Sequence, residues 1–100
     1  MLNQTILVGR LVDQPKKEEK GASITIAIPR SYKNINGEYE TDFITVKLWN
    51  VIATDTCEYC RKGDLIGIRG RLESNKNGLE IIADKITFLS TNKDLINRED

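Results

Sequence analysis

Histidine is absent from this sequence of 100 residues. Without it the chain lacks the commonest general base, the Ser/His and Cys/His nucleophilic pairings and the commonest zinc ligand. Cysteine occurs only at Cys57 and Cys60, too few for a disulfide framework. No apolar run approaches the ~20 residues that span a bilayer, and no basic stretch leads into an apolar one at the N-terminus. Charge bias is missing as well, with fifteen basic residues against fifteen acidic ones. No basic block announces a nucleic acid, so any such case rests on where the charges point. Glu18, Glu19, Asp94, Glu99 and Asp100 fall on a turn and a tail, where no apolar pocket raises a carboxyl pKa. These absences favour a binding or assembly module over an enzyme. No catalytic residue, metal, cofactor, small-molecule substrate or membrane partner is expected, and the location expected is cytoplasmic.

What is present is a series of short β-branched segments separated by turn signals. Residues 5–12 predict a first strand, with Gly9 inside it as a bulge or bend. PKKEEKG at 15–21 predicts a polar turn. Residues 22–29 alternate, with Ile24, Ile26 and Ile28 on one face and Ser23, Thr25 and Ala27 on the other. A long polar segment follows, and Asn36-Gly37 is its turn signal. Residues 42–50 and 65–73 predict the third and fourth strands, and Asn77-Gly78 leads into a fifth at 79–89. Between the third and fourth, Ile52, Thr56, Tyr59 and Cys60 have the spacing of a helix face, and Arg61-Lys62-Gly63 suits a helix end. This is the element order of an OB-fold: an all-β, five-stranded Greek-key barrel with one helix between strands three and four. The domain is expected to cover residues 1–90, with a short polar tail at 91–100.

The third strand carries the functional signal. Ile44, Val46 and Leu48 point one way, while Phe43, Thr45, Lys47 and Trp49 point the other. Two large aromatics and a cation on the solvent side suit a stacking platform, because every nucleobase has a π-face and nearby cations track the phosphates. The rival reading is a second minor core, or an aromatic face buried in a protein interface. Tyr32 lies between Arg30 and Lys33 in the same combination of ring and charge. Arg69 and Arg71 share one face of the fourth strand with Leu65 and Gly67.

Four segments in order and at matching spacing resemble the bacterial-type single-stranded DNA-binding protein family: MLNQTILVGRL, DFITVKLWN, EYCRKGDLIGIRGRL and LEIIADKITFL. The resemblance implies an OB-fold that assembles as a homotetramer or homodimer and coats single-stranded DNA in replication, recombination and repair. The family's stacking aromatics fall on Tyr32, Phe43 and Trp49. Arg30, Lys33, Lys47, Arg69, Arg71 and Lys76 are then the cations expected at phosphates, with Arg10 and Lys62 as outer contributors. A fourth family aromatic, in the hairpin between strands four and five, has no counterpart in ESNKNG, where Glu73 takes a usually basic position. The family's flexible linker and acidic tip are also missing from TNKDLINRED. The expectation is therefore a short form without the acidic tail, from the bacterial nucleoid, a mobile element or a phage. A replication-restart (primosomal) accessory protein of the same fold is the alternative, and an OB-fold assembly module is the rival from another class.

Cys57 and Cys60 form a CxxC. A structural zinc site needs four ligands, and only carboxylates are available to complete it. A thioredoxin-like motif belongs at the start of a helix in a βαβ unit, not inside the helix of a barrel. Cys60 lies on the apolar helix stripe, where cysteine packs as a small hydrophobe.

Overall fold

The computed structural model describes residues 1–90, which form β1 (Thr5–Leu11), β2 (Lys16–Glu18), β3 (Gly21–Lys33), β4 (Tyr39–Leu48), α1 (Asn50–Tyr59), β5 (Leu65–Asn75) and β6 (Gly78–Ser90). The polar segment expected at 91–100 lies outside the described residues. Alternation in β3 builds the core. Ala22, Ile24 and Ile26 turn inward and meet Leu11 of β1, Val46 and Leu48 of β4, Ile66 and Ile68 of β5 and Ala83 of β6. The sheet runs β1-β5-β6-β4-β3-β2, and a second pairing of β1 with β3 closes five strands into a barrel. Among the described residues only β4 and β6 run parallel, at Val46↔Ile81 and Lys47↔Ile82. The helix lies between the third and fourth barrel strands, as the element order predicts. Among the described residues no helix is long and apolar enough to cross a membrane.

Four local expectations change in the folded chain. Gly9 is not a bulge, because the β1–β5 register runs through it without a shift. It is instead a point of close approach: a Cβ there would lie 2.7 Å from the Ala27 carbonyl oxygen and 2.9 Å from Ile28 Cγ1. The segment read as a polar turn contains β2, which pairs with the start of β3 from Lys16↔Ser23 to Glu18↔Gly21. It has no apolar alternation to reveal it, and the open edge of β3 supplies its partners. The polar segment after β3 is a long hairpin, with strand reaching Lys33 and resuming at Tyr39. Its turn is at the expected place: the Asn34 carboxamide oxygen accepts from the backbone N–H of Asn36 and Glu38, and Gly37 has φ 77°.

The helix differs in its face. Ala53, Thr56 and Cys60 turn to the core with Ile52 and Cys57 half-buried, while Tyr59 is exposed. Ala53 takes the inward position, and Tyr59 falls one helical step outside the stripe. Past the last turn, Arg61 Nη1 donates to the carbonyls of Glu58 and Cys60 at 2.9 Å, satisfying helix-end acceptors. Asp64, itself buried, accepts the Arg61 backbone N–H at 2.8 Å. Cys60 is fully buried, and this burial, with a smaller contribution from Asp64, pushes its thiol pKa up to about 11. It is a protonated core residue at neutral pH.

Gly9→Ala should destabilise the barrel by about 1–3 kcal/mol, the usual cost of overpacking a filled site. Urea unfolding of the two proteins measures it; an unchanged midpoint would show that β1 and β3 can move apart there.

Candidate nucleic-acid interface

Because β4 alternates, Phe43, Thr45 and Lys47 leave the barrel on its outer side, and Trp49 follows in extended backbone at φ −129° and ψ 155°. Phe43 is 68% exposed and Trp49 41%, while Val46 and Leu48 are buried. Pairing with neighbouring strands extends this face into transverse rows. One row reads Lys16, Ser23, Lys47, Ile82, Arg71 across β2, β3, β4, β6 and β5. A second reads Phe43, Ala27, Arg10, Leu65 across β4, β3, β1 and β5. Between them, the hydroxyls of Thr25 and Thr45 are 3.2 Å apart. Ile82 is buried yet outside the core cluster, with Lys47 and Arg71 in register on either side. Aliphatic stems of long cations commonly cover apolar surface in this way.

Carboxylates accompany several of the cations. Lys47 Nζ sits 3.1 Å from both oxygens of Glu18. Arg71 pairs with Glu73 at 2.9 Å and also with Asp84. Arg30 binds Asp42 through Nε and Nη2 and Glu40 through Nη1 at 2.6 Å. These partly exposed pairs are worth little to stability, but they set where the charges rest. The hydrogen bonds and charge of Asp42, aided by Tyr32 and Glu40, raise the Arg30 pKa further, and Arg30 holds the Asp42 carboxyl below its usual range.

The remaining expected positions are spread around the barrel. Tyr32 and Lys33 lie on the β3–β4 hairpin beyond the barrel wall, and Lys33 Nζ is 5.8 Å from the centroid of the Tyr39 ring. Tyr32, one residue before Lys33 in extended chain, takes the opposite side of this ribbon. Arg69 has the parity of Arg71 but another neighbourhood. Its row is Ile6, Arg69, Lys85, because a register shift between Arg69 and Gly70 leaves Asp84 as an extra residue in β6. Lys76 stands at the tip of the β5–β6 hairpin. Arg10 shares the Phe43 row, and its Nη1 donates to the Gly63 carbonyl at 3.0 Å. Lys62 is exposed in the turn between α1 and β5. The structure thus brings Phe43 and Arg10 onto one outward row and Lys47 and Arg71 onto another, leaves Trp49 exposed just past the end of β4, and sets Arg69 apart. Among the described residues no group of three or more His, Cys, Asp or Glu is arranged to hold a metal ion.

Sequence reasoning missed two features of this surface. Glu18, Glu40, Asp42 and Asp84 come from strands other than those of the cations they pair with, so no local pattern reveals them; Glu73, two residues from Arg71 on β5, is the exception. Tyr39, 62% exposed, was within reach: extending the parity of β4 back from Phe43 places it on the outward face.

If Arg30 holds Asp42 ionised, Asp42 should titrate by NMR below the ~3.9 of a free aspartate, and Arg30→Gln should return it toward that value. The depressed pKa means that the pair's stabilisation is complete above the unfolded pKa and is lost as pH falls through the folded one. Titration of Asp42 at the ordinary value in the unmodified protein would show that the pair does not form.

Comparison with known proteins agrees with this architecture. The model of the Single-strand binding protein family matches residues 2–89. The chain is 38% identical to Single-stranded DNA-binding protein B of Bacillus subtilis, over 89% of this chain and 91% of that one. It is 39% identical to Single-stranded DNA-binding protein 1 of Staphylococcus aureus, over 100% of this chain and 73% of that one. Among solved structures, the small single-stranded DNA-binding protein of Streptomyces coelicolor superimposes with a TM-score of 0.70 at 19% identity, covering 89% of this chain and 95% of that one. A deletion variant of the single-stranded DNA binding protein of Thermus aquaticus gives 0.72 at 21% identity, covering 93% of this chain and 53% of that one. With a matching family model over nearly the whole described chain and close relatives aligned along most of their length, the protein belongs to the single-strand binding protein family.

Proposed function

We propose that the outward face of β3, β4, β6 and β5 binds single-stranded DNA without sequence preference, coating strands exposed during replication, recombination and repair. The observation that carries this reading is the exposure of Phe43 on the outer face of β4 and of Trp49 in the extended backbone just past it, with Lys47 between them. Rings accept any base by stacking, whereas sequence readout would need an array of fixed donors and acceptors. Tyr32 adds a ring on the hairpin. Lys47 and Arg71 face the phosphates most directly, Lys33, Lys76 and Arg69 contribute along the strand's path, and Arg10 and Lys62 lie at its outer margin. Arg30 serves mainly to stiffen the hairpin. The activity is binding and not catalysis.

The reading includes assembly as a homodimer or homotetramer. β1 pairs with β5 along residues 5–10 but with β3 only at Arg10 and Leu11, which leaves one backbone edge of residues 5–8 open. Ile6 and Val8 are exposed beside that edge, and an open apolar edge recruits another strand. The Asn3 side chain extends the ladder by exchanging two hydrogen bonds with the Leu72 backbone, at 2.8 and 2.9 Å.

Trp49 is the only tryptophan, so its fluorescence reports one position. Poly-dT should quench it and saturate at a fixed nucleotide count. Phe43→Ala should weaken binding by about 1–3 kcal/mol, the usual loss of one base–aromatic stack. Ile44→Ala, one residue away and packed against the core, should instead lower the melting temperature and leave the folded fraction binding. Removing both Lys47 and Arg71 should flatten the plot of log affinity against log salt by about 1.4, at roughly 0.7 per phosphate contact. Emission indifferent to DNA would sink the reading.

Sedimentation at tens of micromolar should show a dimer or larger, and Val8→Lys should shift it toward monomer. A monomeric parent protein would remove the β1 edge from consideration.

A further inference from the structure

The aromatic track on β4 does not end at Phe43. Tyr39 lies four residues earlier on the same face, about 13 Å along the strand at ~3.3 Å per residue. Its exposure, 62%, nearly matches that of Phe43. Lys33 is its direct cross-strand partner, and the ammonium over the ring is a cation–π contact. Ring and cation are thus held together at one position, the combination that β4 presents again at Phe43 and Lys47.

The other side of the same ribbon explains why this pair is held in place. Arg30 links β3 to Asp42 and Glu40 of β4, and Asn34 Nδ2 donates to Glu40 Oε1 at 3.3 Å. The turn is closed by backbone bonds from Asn34 to the Glu38 carbonyl and from Gly37 to the Asn34 carbonyl. Polar ties therefore lock one face of the hairpin and leave the aromatic face open. A ring presented on a stiffened ribbon loses little entropy when it is covered.

Resting on the reading of the outward face as a single-strand site, we propose that Tyr39 is a further base-stacking position, with Lys33 at the adjoining phosphate. It extends the track of Trp49 and Phe43 onto the β3–β4 hairpin. Lys33 occupies one face of the ring and leaves the other for a nucleobase. The site adds nucleotides at the hairpin end of the strand's path, on the side of the ribbon opposite Tyr32.

The test compares Tyr39→Ala, Tyr39→Phe and Phe43→Ala with the parent protein, using fluorescein-labelled oligo-dT of graded lengths. On oligonucleotides long enough to reach the hairpin, Tyr39→Ala should weaken binding about 5- to 150-fold, the range for one lost stack. Tyr39→Phe should stay within about twofold, because the ring and not the hydroxyl stacks. On the shortest oligo-dT that saturates Trp49 quenching, Tyr39→Ala should match the parent. The unmodified protein, irradiated with a 5-bromodeoxyuridine oligonucleotide, should also carry an adduct on Tyr39, a readout independent of the variants' folding. Parent-like binding by Tyr39→Ala at every length, with Phe43→Ala impaired, would overturn this inference and keep the single-strand reading. Adducts elsewhere but none on Tyr39 would do the same. Failure of the parent protein to bind oligo-dT would remove both.

Discussion

Closure of the barrel depends on β1 serving two neighbours at once. Its residues pair with β5 from Thr5 to Arg10, and at Arg10 and Leu11 it also reaches β3. Two strands can converge on a third only if something small sits where they cross, and Gly9 meets that requirement. Closure gives every strand an inside and an outside. Alternation then sends Ile24, Ile26, Val46, Ile66 and Ile68 into one shared core and leaves Phe43, Thr45 and Lys47 facing water. The placement of the outward rings follows from the same geometry that builds the core.

The outward face is close to electrically self-compensated. Lys47 and Arg71 each rest on carboxylates, as does Arg30 on the opposite side of the hairpin, in keeping with a net charge of zero. On the proposed reading, a phosphate at Lys47 or Arg71 would compete with Glu18, or with Glu73 and Asp84, for the same donors. Such a surface exerts little long-range attraction, so contact chemistry matters more than steering. On the same reading, the rings would carry a larger share of the interaction. The exposure of Tyr39 and Phe43 along β4 and of Trp49 just past it is the counterpart of that weak field.

Ion pairs also define the β3–β4 hairpin where it leaves the barrel. The β3–β4 hairpin has few apolar residues to bury, and its arms are tied by Arg30, Asp42, Glu40 and Asn34. A hydrophobic pattern therefore detects the barrel strands and overlooks this ribbon. The same blindness applies to β2, a run of charges that becomes a strand because β3 offers it an edge.

Much was legible before folding because alternation is a covalent property of an extended chain. Phe43 and Ile44 must point to opposite sides of β4 wherever that strand goes, and the position of the helix between β4 and β5 follows from spacing alone. The expected helix face erred at Tyr59 because Ala53, which carries no strong signal, was free to take the inward position. Other features belong to the tertiary structure. Arg69 and Arg71 have the same parity, yet one stands in register with Ile6 and Lys85 and the other with Ile82, next to Lys47. A single extra residue, Asp84, and the curvature of a closed sheet separate them. The sequence by itself determined which side of its own strand each residue takes. Only the tertiary structure decided which strands lie side by side and in what register, because those pairings join residues far apart in the chain.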